Sequence, residues 1–263
     1  MKKYLSIFNM SLKESFQYIE SIIFRFLSYT ITMFLLTQVW KYVYSGDKEV
    51  INGYTLVTMI WYLLFAEIIN YASSNNTKMD IQRDIQDGSI AYKIGRPYNY
   101  VMYNLMRYFG LSLIRFILYL IVSIIIGIIF VGPINLNLNI IQILIIIFTV
   151  FMSVLINGLI KIMISLSSFW VEDSEPFHWI YSKFTLMFGI FFPIEMFPKI
   201  VGKFISYSPV FVTTYGPVKL LLNFDVNICI NVVIFQFIYL FITAVLTIII
   251  FKKGVKKINV NGG

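Results

Sequence analysis

YVMYNLMRYFGLSLIRFILYLIVSIIIGIIFV, residues 100–131, is an apolar run in which Arg107 and Arg115 are the only charges. A bilayer core takes roughly 20 apolar residues per helical span. In lipid only a helix or a closed barrel satisfies its own backbone hydrogen bonds. Barrel strands alternate over about 10 residues, and this run does not alternate, so it reads as a membrane-spanning helix ended by Gly132-Pro133. Downstream, apolar runs cover residues 138–170, 177–192 and 226–251; upstream they cover 54–71 and 22–44. The 138–170 run is broken only by Gln142, Asn157 and Lys161. It is too long for one perpendicular span, so tilt or an extension beyond the bilayer is expected. The sequence therefore predicts an all-α integral membrane protein with six spans.

Composition agrees. Hydrophobic residues make up 59% of the 263, and charged residues only 13%, against about 25% in soluble domains. The net charge of +8 is no sign of a nucleic-acid partner, because the basic residues flank the spans, where they meet anionic headgroups. The one cysteine, Cys229, excludes an intrachain disulfide. Residues 1–18 lack the apolar core and small-residue cleavage site of a signal peptide. Instead Tyr4, Leu5, Phe8, Leu12 and Phe16 recur at helical spacing, with Lys3, Ser6, Asn9, Lys13 and Gln17 between them. That pattern predicts an interfacial helix over residues 1–20.

Lysine and arginine placement orients the chain. With the N-terminus inside, the inner side holds Lys2, Lys3, Lys13, Lys78, Arg83, Lys93, Arg96, Lys252, Lys253, Lys256 and Lys257. The outer side holds Lys48, Lys199, Lys203 and Lys219, Lys48 following the Ser45-Gly46-Asp47 turn. An even number of spans puts both termini on the basic, cytoplasmic side. The Asn75-Asn76-Thr77 sequon then lies inside and is a chance match.

Catalytic signatures are missing. There is no phosphate loop of the form G-x-x-x-x-G-K-[ST]. One histidine, His178, and one cysteine make neither a metal cluster nor a Cys/His nucleophile pair. His178, beside Trp179, reads as an interface-belt residue. The charges within spans are Arg25, Glu67, Arg107, Arg115 and Lys161. Arg25 and Glu67 sit at similar depth, either as a pair or as two snorkelling side chains. Arg107 and Arg115, two turns apart, either line a vestibule for an anionic substrate or serve packing and headgroup contact. The near absence of midplane acids argues against proton or sodium coupling.

Residues 79–97, MDIQRDIQDGSIAYKIGRP, are the sharpest local feature. Ile81 and Ile85 are one turn apart among Asp80, Gln82, Arg83, Asp84 and Gln86, and Gly88 is a helix stop. Pro97 holds Arg96 extended. This is either a short helix with two apolar anchors that docks on a soluble partner or a solvated loop between spans. Glu172, Asp173 and Glu175 allow two readings as well, a second partner contact or a plain inter-helix turn.

Residues 85–103 resemble the cytoplasmic loop of ABC-2-type transporter permeases, whose pattern is matched here by Ile85, Gly88, Ile90, Ile94, Arg96 and Pro97. Further on, Phe169-Trp170, Phe192-Pro193-Ile194, Met196-Phe197-Pro198, Ser208-Pro209 and Tyr215-Gly216-Pro217 resemble the same branch. Val210-Phe211 departs from its expected Pro-Phe pair. The resemblance implies a single transmembrane permease domain over residues 1–263. Its parts are an interfacial helix, a coupling loop at 72–98 between spans 2 and 3, and an outer re-entrant segment at 193–225 marked by Pro193, Pro198, Pro209 and Pro217. It implies ATPase-coupling roles for Ile81, Asp84, Ile85, Asp87, Gly88, Arg96 and Pro97. It implies two separate ABC ATPase subunits that carry ATP and Mg, no cofactor on this chain, and a second half-permease, identical or paralogous. The expected function is export of an amphiphilic, drug-, peptide- or lipid-like compound across a bacterial plasma membrane. Two rivals stand beside it, an ion-gradient-driven carrier and a non-transporting anchor subunit. An integral-membrane enzyme ranks below both, for want of catalytic residues.

Overall fold

The computed structural model describes residues 2–17, 19–46, 49–73 and 77–261, without the side chains of residues 17, 19–23 and 258–261. Asp47, Lys48, Asn75 and Asn76 lie outside the described residues, and with them parts of the expected turn and sequon. The chain is helical almost throughout. In order it forms α1 (Lys2–Gln17), α2 (Ile19–Val43), β1 (Val50–Ile51), β2 (Tyr54–Thr55), α3 (Leu56–Ala72), α4 (Thr77–Gln86), α5 (Ser89–Ile94), α6 (Tyr100–Val131), α7 (Ile140–Leu166), α8 (Glu175–Thr185), α9 (Lys199–Ser206), α10 (Gly216–Leu222) and α11 (Val226–Asn261).

Among the described residues, four helical stretches are long and apolar enough to cross a membrane: one that begins at Leu56, and Tyr100–Val131, Ile140–Phe169 and Val226–Lys257. At about 1.5 Å per residue, the 32 residues of α6 and the 36 of α11 both exceed a hydrocarbon core of about 30 Å. α11 was expected to stop near Phe251 and instead carries Lys252, Lys253, Lys256 and Lys257 on its last turns. Exposed surfaces are apolar where water would not tolerate them. Phe24, Leu27, Ile31, Phe34, Leu35 and Val39 face outward on α2, and Val226, Ile230, Ile234, Phe237 and Phe241 on α11. Patches this large mark contact with lipid or protein, and the chain is a multi-pass membrane protein.

α3 is the central post: every residue from Met59 to Ile69 is buried. α2 leans on it through a 3.6-period stripe, Tyr29, Met33, Thr37 and Trp40. Tyr29, Tyr71 and Tyr119 from α2, α3 and α6 meet with ring centroids 4.9–5.3 Å apart. At one end Trp61 Nε1 donates to the Gly132 carbonyl at 3.1 Å.

The sequence reading starts the second span at Tyr54, but residues 50–55 pair as a hairpin, Val50 with Thr55 and Ile51 with Tyr54. Asn52 (φ 49°) and Gly53 (φ 85°) supply the two left-handed positions of a tight turn. The expected long fourth span is continuous from Ile140 to Phe169, its last turn, Ser167–Phe169, tightening to 3-10 after α7 ends at Leu166.

α8 is followed by a π-helical turn, Leu186–Ile190, and a second π turn occupies Phe211–Tyr215. A π turn releases carbonyls from the regular ladder, and π turns cluster at functional sites. Here the freed groups are satisfied from far along the chain. Gly189 O accepts from Tyr62 Oη at 2.7 Å. Val212 O accepts from Ser153 Oγ and Gln236 Nε2, each at 3.0 Å. The four prolines punctuate this region. Pro193 precedes the 3-10 turn Ile194–Met196, Pro198 starts α9, and Pro217 lies in the first turn of α10. The Pro209 carbonyl accepts from Thr213 Oγ1 at 2.8 Å.

Candidate functional site

The chemistry-bearing side chains gather at the end of the bundle that holds α1, α4, α5 and the turn after α7. α4 is amphipathic, and its apolar face turns inward. Ile81 is fully buried in a small core with Ile90, Tyr100, Leu105, Leu166 and Phe169. Asp84, 7% exposed, is held by Lys93 Nζ at 2.5 Å, Tyr100 Oη at 2.8 Å and Ser89 Oγ at 3.4 Å. The reading of Ile81 as an anchor on a partner, with Asp84 on the charged rim, is corrected here. Both face the chain's own interior, because α4 spends its apolar face on α6 and α7. Ile85 is half-buried between that core and a groove.

Gly88, at φ 77°, breaks α4 from α5. Asp87 is exposed and accepts the Ser89 backbone N–H at 2.9 Å. That bond holds its carboxyl below the usual range. Arg96 is exposed and stacks its guanidinium 4.9 Å over the Tyr92 ring. Pro97 is exposed, and its carbonyl accepts from Lys3 Nζ.

α4 is tied into its surroundings by charge. Arg107 on α6 donates to Glu14 on α1 through Nε (3.2 Å) and one terminal nitrogen (2.6 Å), and to Asp80 on α4 through the other (2.6 Å). Arg107 is thus committed to two carboxylates and is not an open anion site, which corrects the vestibule reading for this residue. Arg115 is half-buried two turns further along α6. A second line joins α4 to the turn before α8. Lys78 pairs with Glu175 at 2.8 Å. Gln82 donates to Asp173 Oδ1 at 2.9 Å and accepts from Ser174 Oγ at 2.6 Å. Gln86 donates to the Glu172 carbonyl. A third contact joins α1 to the start of α6, where the Asn99 backbone N–H donates to Tyr4 Oη at 3.1 Å. α1 lies so close to α6 that a Cβ on Gly110 would come within 2.7 Å of the Phe8 carbonyl.

The exposed stripe of α4, at helical spacing, is Met79, Arg83 and Gln86. It forms one wall of an open groove of about 920 Å³ whose other wall includes Trp170, Val171 and Glu172. The groove is wide, mixed in polarity and backed by a rigid helix, so it suits a protein surface rather than a reaction. Among the described residues, no group of three His, Cys, Asp or Glu is placed to hold a metal ion.

Other expectations fall differently. Glu67 is buried and takes its hydrogen bond from Asn70 Nδ2 at 2.9 Å, one turn along its own helix. The Glu67 carboxylate thus has a donor on its own helix. His178 is no belt residue. It is 3% exposed and bonds Ser165 of α7 at 2.9 Å, because it falls on the face of α8 that meets α7, while its neighbours Phe177 and Trp179 are exposed. Lys161 donates to the Ser73 carbonyl at 2.7 Å, capping α3 from α7.

Sequence reasoning missed Glu14 and Asp80 as the partners of Arg107. It also missed Glu195, at the opposite end, which binds Lys219 and two tyrosines. The available signal was that Glu195 is the only acid between residues 176 and 224. No curated protein matches this chain. The family model for ABC-2 family transporter proteins does match it, over residues 26–262, and with its apolar helices and braced loop between α3 and α6, the chain belongs to the ABC-2 transporter permease family.

Proposed function

We propose that this chain is the membrane-spanning half-permease of an ATP-driven exporter. Its family's members are transport subunits that work with ABC ATPase components. Two such ATPases, carrying ATP and Mg, bind the end of the bundle formed by α4, α5 and the turn after α7, and that end faces the cytoplasm with both termini. A second half-permease, identical or paralogous, completes the path for an amphiphilic or hydrophobic compound. α2, α3, α6, α7, α8 with its π turn, and α11 are the six spans. α1 is the interfacial helix, with Ser11 and Ser15 buried against the protein and Leu5 and Phe16 exposed for lipid. Residues 193–225 are the re-entrant segment on the outer side.

One observation carries this reading: the exposed Met79–Arg83–Gln86 stripe borders a groove, while the other faces of α4 pack on α6 and α7 or are bonded to α6 and the turn before α8. A push on that stripe moves the bundle, and such state-dependent contact is what an energised switch requires. Ile81 and Asp84 act as transmitters inside the chain, and Asp87, Gly88, Arg96 and Pro97 stay on the partner's side.

The test is purification of the chain from native membranes in mild detergent, with the co-purifying proteins identified and ATP hydrolysis assayed. An ABC ATPase at near-equal abundance is expected, and it should be lost from the Arg83→Glu/Met79→Asp variant. Gently solubilised material without an ATPase refutes the half-permease reading in favour of a carrier or an anchor.

A further inference from the structure

At the end of the bundle away from α4, Glu195 joins three segments that are distant in sequence. Its carboxylate accepts from Lys219 Nζ of α10 at 2.6 Å and from Tyr215 Oη of the second π turn at 2.7 Å, both on Oε1. Its other oxygen accepts from Tyr54 Oη of the hairpin at 3.3 Å. Lys219 also donates to Tyr54 Oη at 3.0 Å, with its ammonium 4.7 Å from that ring's centroid. Nearby, Asn52 Nδ2 touches Met196 Sδ at 3.6 Å, and Tyr44 Oη donates to the Tyr54 carbonyl at 2.7 Å. The Lys219 side chain is 15% exposed and that of Glu195 32%. The Glu195–Lys219 pair lies within residues 194–219, and the Tyr54 hydroxyl, bound to both, ties the hairpin to it beside the apolar contacts of Tyr54, Ile194, Met196 and Val218.

We infer that the Glu195–Lys219 pair and the Tyr54 hydroxyl bound to both form a latch that holds the hairpin against the re-entrant segment and keeps the outer side of the path closed, so that transport requires this junction to part. The pair suits that task. It keeps some exposure, so parting does not leave a fully buried charge unpaired. It is also charge-assisted and joined by two hydroxyls, so it is firmer than a lone surface pair. The two π turns pack directly on each other: a Cβ on Gly189 would come within 3.2 Å of Thr214 Cβ. The gating role rests on the transport reading above; the latch itself does not.

Two arms test it in a Cys229→Ser background. In the first, Leu220→Cys, buried beside Lys219, is labelled with a membrane-impermeant maleimide on the purified chain alone. Labelling should run at least tenfold faster with Glu195→Gln or Lys219→Met. The charge-swapped Glu195→Lys/Lys219→Glu chain should return most of the way to the slow rate. Unchanged labelling in both single variants overturns the latch, whether or not an ATPase partner exists. In the second arm, Asn52→Cys/Met196→Cys is joined by a short bifunctional thiol reagent in the complex with its co-purified ATPase. Turnover of ATP should fall at least fivefold and recover on reduction. Full turnover in the cross-linked complex overturns the gating role. If no ATPase co-purifies, the transport reading fails while the labelling arm still decides the latch.

Discussion

Arg107 is the residue whose loss has the most specific expected consequence. Changing it to glutamine keeps much of its volume and removes its charge and fork. Three charge-assisted bonds disappear, at 3.2, 2.6 and 2.6 Å. Side-chain exposures of 20% for Arg107, 29% for Glu14 and 28% for Asp80 put the site between two known regimes. Exposed pairs are worth under about 1 kcal/mol, and stripping one partner from a buried pair costs about 3–5 kcal/mol. An intermediate cost of about 2 kcal/mol for each helix held speeds local opening about 30-fold. Because one guanidinium holds both helices, α1 and α4 should loosen together. Backbone hydrogen exchange followed by mass spectrometry reads this directly, on peptides covering residues 2–17 and 77–86. Glu14→Gln should speed only the first and Asp80→Asn only the second, while Arg107→Gln speeds both. If Arg107→Gln speeds one peptide and leaves the other within twofold of the parent, the three-way junction is not what braces the loop.

Three further outcomes follow from the same geometry. Ile81→Asp should lower yield and thermal stability, by about 3 kcal/mol or more for a charge forced into the small core, whereas Arg83→Glu should leave the melting temperature within a few degrees and weaken only partner binding. Gly254→Val should shift the melting temperature down, since a Cβ there meets Phe169 Cδ2 at 2.0 Å and overpacking costs about 1–3 kcal/mol; Phe169→Ala in the same chain should recover part of the loss. For Glu195, burial raises the carboxyl pKa, but the bonds from Lys219 and Tyr215 outweigh it and the net shift is downward. A lowered folded value means stability that is present above the unfolded value of about 4.3 and lost as pH falls through the folded one. The groups facing this carboxyl are Lys219 of α10, Tyr54 of the hairpin, Tyr215 of the π turn and Tyr62 of α3. The melting-temperature difference between the parent and Glu195→Gln chains should therefore be flat between pH 8 and 5 and shrink below about pH 4.

The long helices were legible because lipid imposes a length and a polarity that no other environment does. Residues 100–131 begin and end as helix α6 where the apolar run begins and ends. What hydropathy cannot convey is which face of a helix meets protein. Ile81 and Ile85 look alike in sequence, yet one is sealed inside and the other borders the groove. Arg107 looks like a vestibule charge until the fold brings up Glu14 from 93 residues away and Asp80 from 27. Such pairings depend on tertiary placement, and a single sequence does not encode them locally. The hairpin is a different case. Asn52-Gly53 is a strong turn signal that was outweighed by the apolar residues around it.

The π turn at Phe211–Tyr215 has a consequence for how this family can vary in length. It holds one more residue per turn than the α-helix that follows. Deleting any one residue within it lets the segment relax to regular α-helix without a break in the chain. The turn then closes without its extra residue, so α10 beyond it keeps its phase and Lys219 its place beside Glu195. What is lost is the freed Val212 carbonyl, which is drawn back into the helical ladder and no longer accepts from Ser153 and Gln236. A loss that would pass unnoticed in the loop between α6 and α7 therefore strands two buried donors here. Lineages should accumulate single-residue gaps in that loop and purge them from residues 211–215.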